Sequence, residues 1–215
     1  DLLGTDPADI GQVGTVSFAN TVGVTYTGAT NEIDASKLMA VAPNVGTVNI
    51  ESNNKILGTA DDLESYADEV EASTITKIAV NGEIRVTADG GTNLANVTVA
   101  QANKLDTAKA TGGYVAAKIS GVELADLSTL TGVNNYQITL SSTTIQSADF
   151  TTLASKLETT SGTFDATIDA TSVGRVNGDL TGALALVTNV GDPHPAPAVT
   201  GLTDAIFGLT HSGTV

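Results

Sequence analysis

Asp61, Glu64 and Asp68 are the residues of this chain whose type and spacing come nearest to a chemical site. On a helix they share one face, and their carboxylates could hold a hard cation such as Ca²⁺. They belong to an acidic run that also contains Asp62, Glu69 and Glu71. A helix makes a poor calcium cage, because such sites normally draw converging oxygens from a loop. An exposed acidic face, with its first-turn acids set against the helix dipole, is therefore the preferred reading. Asp89 is the remaining candidate ligand, in the loop Ala88-Asp89-Gly90-Gly91-Thr92-Asn93. Asp165 and Asp169 fall on one face of an expected strand, opposite Phe164, Ala166 and Ile168, and two acids can work on a glycosidic bond. With four Tyr and no Trp to build sugar platforms, a solvated acidic face is preferred there too. His194 and His211 read as solvated loop residues. No His-based metal motif, nucleophile elbow or phosphate loop is present. Cysteine is absent, so thiolate chemistry, disulfides and Cys-based zinc sites are excluded. The expectation is a protein with no catalytic residues and no cofactor apart from Ca²⁺ at the weak candidates above; it is not read as an enzyme.

The elements that position these residues follow from pattern. Thr59 with Asp62 resembles a capping box, with Asp shorter than the usual Glu, and opens a helix to about Glu71 whose stripe is Leu63, Tyr66 and Val70. Upstream, Asp6-Pro7 reads as a helix start, 15–19 and 22–27 read as strands, Ile33 to Val41 carries a strand-to-helix motif stopped by Pro43, and Thr47 to Ile50 alternates as a strand. Asn81-Gly82 lies between two alternating runs. It predicts either a hairpin or a coil whose helix has been replaced by a tight turn.

The clearest organisation is an internal repeat between Asn96 and Leu157. Val99, Val122 and Ile145 are separated by 122 − 99 = 23 and 145 − 122 = 23 residues, and each is followed three positions later by Ala102, Ala125 or Ala148. Asn103, Asp126 or Asp149 comes next, and the last two copies add the apolar pairs Leu127 with Leu130 and Phe150 with Leu153. Under the same shift Val115 and Ala117 map onto Ile138 and Leu140, which predicts half-buried strands. Each unit is a short strand, a turn and a short helix, and the three anchors are expected to stack about 4.8 Å apart. The recurring Asp (Asp9, Asp62, Asp126, Asp149) suits a helix N-terminus. Beyond the three copies, Ile168, Val173, Leu180, Leu184 and Val187 continue the pattern less regularly.

The stretches Asn96-Val-Thr-Val-Ala-Gln-Ala-Asn-Lys-Leu-Asp106, Ser120-Gly-Val-Glu-Leu-Ala-Asp-Leu-Ser-Thr-Leu130 and Thr144-Ile-Gln-Ser-Ala-Asp-Phe-Thr-Thr-Leu153 resemble the Thr/Ala-rich repeats of very large secreted bacterial surface proteins, notably those of marine cyanobacteria. The likeness is closest over 94–188. It implies an extracellular, cell-surface structural role in a surface layer, adhesin stalk or filament. Ala88-Asp89-Gly90-Gly91 is only faintly similar to the calcium-binding nonapeptide found in many such proteins, and it is not repeated.

Composition agrees with a thin, repetitive core. Of the 215 residues 41% are hydrophobic but only 4% aromatic, so small aliphatics must do the packing. The net charge of −15 disfavours nucleic acid and anionic membranes, and no run of ~18 apolar residues exists to span a bilayer. The expected fold is an α/β solenoid of strand–turn–short helix repeats with stacked parallel strands over 1–190. A Pro-rich linker at 191–197 follows, and then a tail at 198–215 that looks like the start of a further repeat. The expected function is structural, by self-association with copies of itself or adjoining repeats. The alternatives are a calcium-dependent binding module and a carbohydrate-active β-solenoid of a phage fibre or secreted enzyme.

Overall fold

Among the described residues the strands pair in parallel, and the one antiparallel contact is an isolated bridge between Thr87 and Leu94. The structure is a computed structural model, which describes residues 23–26, 32–42, 47–50, 55–75, 82–88, 93–157, 166–179, 198–202 and 204–209. In chain order the elements are β1 (Gly23–Tyr26), β2 (Glu32–Asp34), α1 (Ala35–Val41), β3 (Thr47–Ile50), β4 (Lys55–Gly58), α2 (Ala60–Glu71), β5 (Glu83–Val86), α3 (Val99–Ala108) and β6 (Tyr114–Val122). A 3-10 helix (Asp126–Thr129), β7 (Asn135–Leu140), β8 (Thr144–Gln146), α4 (Ser147–Ala154), β9 (Thr167–Asp169), β10 (Arg175–Gly178), β11 (Ala198–Thr200) and β12 (Ile206–Leu209) follow. They form a seven-stranded sheet in the order β11-β9-β7-β6-β5-β4-β2, a three-stranded sheet β12-β10-β8 and a pair β1-β3. The class is α/β, as expected. The chain divides into two compact units, Asp1–Ala117 and Lys118–Val215.

In the first unit, parallel register places Ile33 beside Ile56, Ile56 beside Ile84 and Ile84 beside Val115. All four are 0% exposed, so one aliphatic column runs across the strands. β-Branched residues suit such a column because their stiff side chains pack well on a pleated surface. Parallel neighbours require crossovers, and helices supply them. α1 begins at the N-cap Asp34, whose carboxylate accepts from the Ser36 and Lys37 backbone N–H groups, and it buries Leu38. Of the two readings of Asn81-Gly82, the hairpin is not compatible with β5, because β4 and β6 occupy both of its edges in parallel. Residues 76–81, where the other arm would lie, are outside the described residues.

In the second unit two columns repeat. Ile138 pairs with Ile168, and Ile168 with Val199; Ile145 pairs with Val176, and Val176 with Phe207. The second column has the spacing 176 − 145 = 31 and 207 − 176 = 31. Residues 198–209 thus add two strands in register with the preceding ones. The expected burial of Leu127, Leu130, Phe150 and Leu153 is observed.

The three anchors of the 23-residue pattern do not occupy equivalent positions. Val99 is the first residue of α3, Val122 is the last of β6, and Ile145 is the centre of β8. The reason is local: the Thr98 hydroxyl accepts from the Gln101 backbone while the Gln101 side chain accepts from the Thr98 backbone, and this capping box starts a helix at Val99. The second copy forms a 3-10 turn and only the third a strand followed by an α-helix. β6 departs from alternation as well, with Tyr114 to Ala117 all buried, so both of its faces are covered there. Expectations for 1–22, for Leu180, Leu184 and Val187, and for the linker 191–197 lie outside the described residues.

Candidate functional site

The acidic run resolves into the helix α2, and what it faces is α3. Thr59 caps α2, its hydroxyl accepting from the Asp62 N–H and donating to the Asp62 carboxylate at 2.7 Å. Leu63, Tyr66, Ala67 and Val70 form the buried stripe, as the 3.6-residue period requires. On the neighbouring surface the two helices are joined by side chains: Gln101 Nε2 donates to Glu64 Oε2 at 3.1 Å, and Lys104 Nζ lies 2.8 Å from Asp68 Oδ1. The pairs descend together, 64 with 101 and 68 with 104, so α2 and α3 run in the same direction. Below them the last turns of both helices open into a groove of about 590 Å³, lined by Ala67, Val70, Glu71, Asn103, Lys104, Thr107 and Ala108.

This arrangement decides how the candidate ligands are used. Glu64 is engaged by Gln101 and Asp68 by Lys104, while Asp61 is exposed in the first turn. Among the described residues no three acidic or histidine side chains come together as a metal site. Asp89, Asp165, His194 and His211 lie outside the described residues. The hydrogen bond from Lys104 to Asp68 raises the lysine pKa above its ordinary value; desolvation opposes it, and the charges of Asp68, Glu64 and Glu71 add to the rise.

Asp169 sits in β9, where its Oδ1 accepts from the Thr171 hydroxyl at 2.6 Å and from the Thr171 N–H at 3.0 Å. These two bonds, the hydroxyl first, hold its pKa below the ordinary carboxylate value. A general acid for glycoside cleavage needs the opposite shift. Asp169 therefore organises the turn after β9.

A second charged cluster escaped the sequence reading. Glu83 and Arg85 project from the same face of β5 and are 1% and 4% exposed. Arg85 Nε donates to Glu83 Oε1 and Nη2 to Oε2, both at 2.8 Å, a bidentate pair. Lys55 Nζ stands 3.7 Å from Glu83 Oε2, and Tyr114 Oη donates to the same oxygen at 3.4 Å. Parallel register creates this grouping, since Lys55, Glu83 and Tyr114 are adjacent on β4, β5 and β6. Burial, followed by the charge of Glu83, pushes the Tyr114 phenol up to about 12. The signal was present in Glu83-Ile84-Arg85, two opposite charges at strand period beside an apolar residue, but the register that adds Lys55 and Tyr114 is not readable from local spacing.

No protein-family model matches the chain, and neither a curated protein nor a solved structure matches it significantly.

Proposed function

We propose that this chain is a structural repeat segment of an extracellular bacterial surface assembly, an α/β solenoid that acts by associating with copies of itself or with adjoining repeats. The observation that supports this reading most is the pair of apolar columns in the second unit, Ile138–Ile168–Val199 and Ile145–Val176–Phe207, built by parallel strands that recur at a nearly constant interval. A chain that stacks this way grows along one axis, and its last strands carry one backbone edge each that can accept a further strand. Among the described residues no strand pairs with the outer edges of β11 or β12. At these edges Val199 and Leu202 are buried while Ile206 of β12 is 65% exposed, so association would proceed through backbone edges with an apolar side chain beside them. The net charge of −15 opposes lateral contact between copies, and millimolar divalent cations screen that repulsion. Among the described residues no helix is long and apolar enough to cross a membrane.

Sedimentation velocity with and without millimolar calcium, followed by negative-stain imaging, tests the reading. Concentration-dependent, elongated oligomers are expected, favoured by calcium. A compact monomer at all concentrations under both conditions would overturn it.

A further inference from the structure

The groove between the last turns of α2 and α3 has a chemistry that the self-association reading does not use. Its floor is apolar, made of Ala67, Val70 and Ala108. Its open end is electronegative for two independent reasons. Both helices end there, and neither carries a basic residue in its last turn, so the partial negative charge of their terminal carbonyls is not offset within the turn. The last turn of α2 moreover carries acids, Asp68, Glu69 and Glu71, where a helix is better served by cations. Asp68 is matched by Lys104, and Glu69 accepts from the Thr74 hydroxyl. Lys109, just past α3, lies 2.7 Å from Asp106. Glu71 lines the groove together with Lys104, whose ammonium feels its charge, but it is exposed and forms no direct ion pair among the described residues.

We propose that this groove docks a basic segment of a partner protein, with the alkyl stem of an arginine or lysine lying over Ala67, Val70 and Ala108 and its cationic head at Glu71 and the two helix ends. The occupant follows from charge and shape together. A long basic side chain has an apolar stem and a charged tip, which matches an apolar floor leading to an acidic mouth. At about 590 Å³ the groove falls within the ~300–1,000 Å³ range of ligand-sized pockets. A second copy of this chain is a poorer occupant, since it brings 24 acidic residues with 9 basic ones.

The test is a calorimetric titration of the full chain with an acetylated, amidated peptide of alternating arginine and leucine, and with its glutamine-for-arginine counterpart. The arginine peptide is expected to bind and the glutamine peptide is not. Glu71→Gln should weaken binding roughly two- to fivefold, the upper range of one exposed charge contact. Asp61→Asn removes the same charge from the opposite end of α2 and should change affinity less than about twofold. Thr107→Trp, an exposed helix position on the groove wall, should abolish binding while thermal unfolding shows the fold retained. Equal losses from Glu71→Gln and Asp61→Asn would reduce the effect to diffuse acidity and overturn the proposal. Full affinity in Thr107→Trp, or no binding to the parent, would also overturn it. Oligomers of the unliganded chain that Thr107→Trp dissolves would give the groove to a second copy instead.

Discussion

Glu83 is the residue whose environment demands the most of the chain, because a buried carboxylate is tolerated only when its charge is met. Arg85 meets it with two bonds from the same strand, and Lys55 and Tyr114 approach from the strands on either side. Removing Arg85 leaves an unpaired buried charge, so Arg85→Met should cost about 3–5 kcal/mol in urea unfolding. The double variant Glu83→Leu with Arg85→Met should recover most of that loss, since paired burial is worth little net. A loss in the double variant as large as in the single one would mean that the pair is held for packing rather than charge. Tyr114 adds a pH signature. Its folded pKa of about 12 stands above the ~10 of an unfolded tyrosine, so its contribution to stability is complete below pH ~10 and is lost as pH rises towards 12. Stability measured between pH 9 and 12 should fall more steeply in the parent than in Tyr114→Phe; superimposable profiles would show that the phenol is freely solvated. Asp169 works in the other direction: its depressed pKa stabilises above the ordinary carboxylate pKa, and that contribution fades as pH falls through the folded value.

At the scale of elements, much of the chain was legible, and the failures share one cause. The helix from Ala60 to Glu71 could be read from its cap and stripe, and the strand-to-helix passage at Ile33 from its periodicity, because both signals are local. The apolar pairs Leu127 with Leu130 and Phe150 with Leu153 were likewise found from spacing alone. The stacking register was misread, because residues that stack are separated by crossovers of unequal length. Along the first column the intervals are 56 − 33 = 23, 84 − 56 = 28 and 115 − 84 = 31. A fixed shift of 23 therefore aligned Val99 with Val122 and Ile145, although a capping box had already committed Val99 to a helix. The candidate groove was not legible for a related reason: it needs α2 and α3 side by side, which only the stacking of β4, β5 and β6 provides. Two substitutions test the elements themselves. Leu130→Ala should cost about 2–5 kcal/mol, because a thin core cannot refill the cavity; unchanged thermal unfolding would mean that Leu130 is not packed as described. Gly201→Ala should also destabilise, since its φ of +86° is unfavourable for a side chain and a Cβ there would lie 2.4 Å from the Thr171 backbone nitrogen. An alanine variant as stable as the parent would argue against that close approach.

At the scale of the whole molecule, the proposed solenoid carries a consequence for stability, which should be distributed along the chain. In an ordinary globular core each segment touches many distant ones, and losing one collapses the rest. In a stacked array each coil is held mainly by its neighbours, so stability approximates a sum of coil and interface terms. The second unit offers a place to separate these behaviours. β11 and β12 pair only with β9 and β10 among the described strands, and Val199 and Phe207 continue columns that Ile168 and Val176 already carry. Truncation after residue 190 would remove both strands and expose Ile168 and Val176 at a new edge. If the stacked reading holds, the shortened chain should keep its remaining circular-dichroism signal, melt at a lower temperature and form shorter or fewer oligomers in sedimentation, because the edge it has lost is the one offered to a neighbour. A truncated chain that is wholly unfolded would show that the last strands close a cooperative core. One that folds and associates as the parent does would leave self-association standing but move it away from the C-terminal edge.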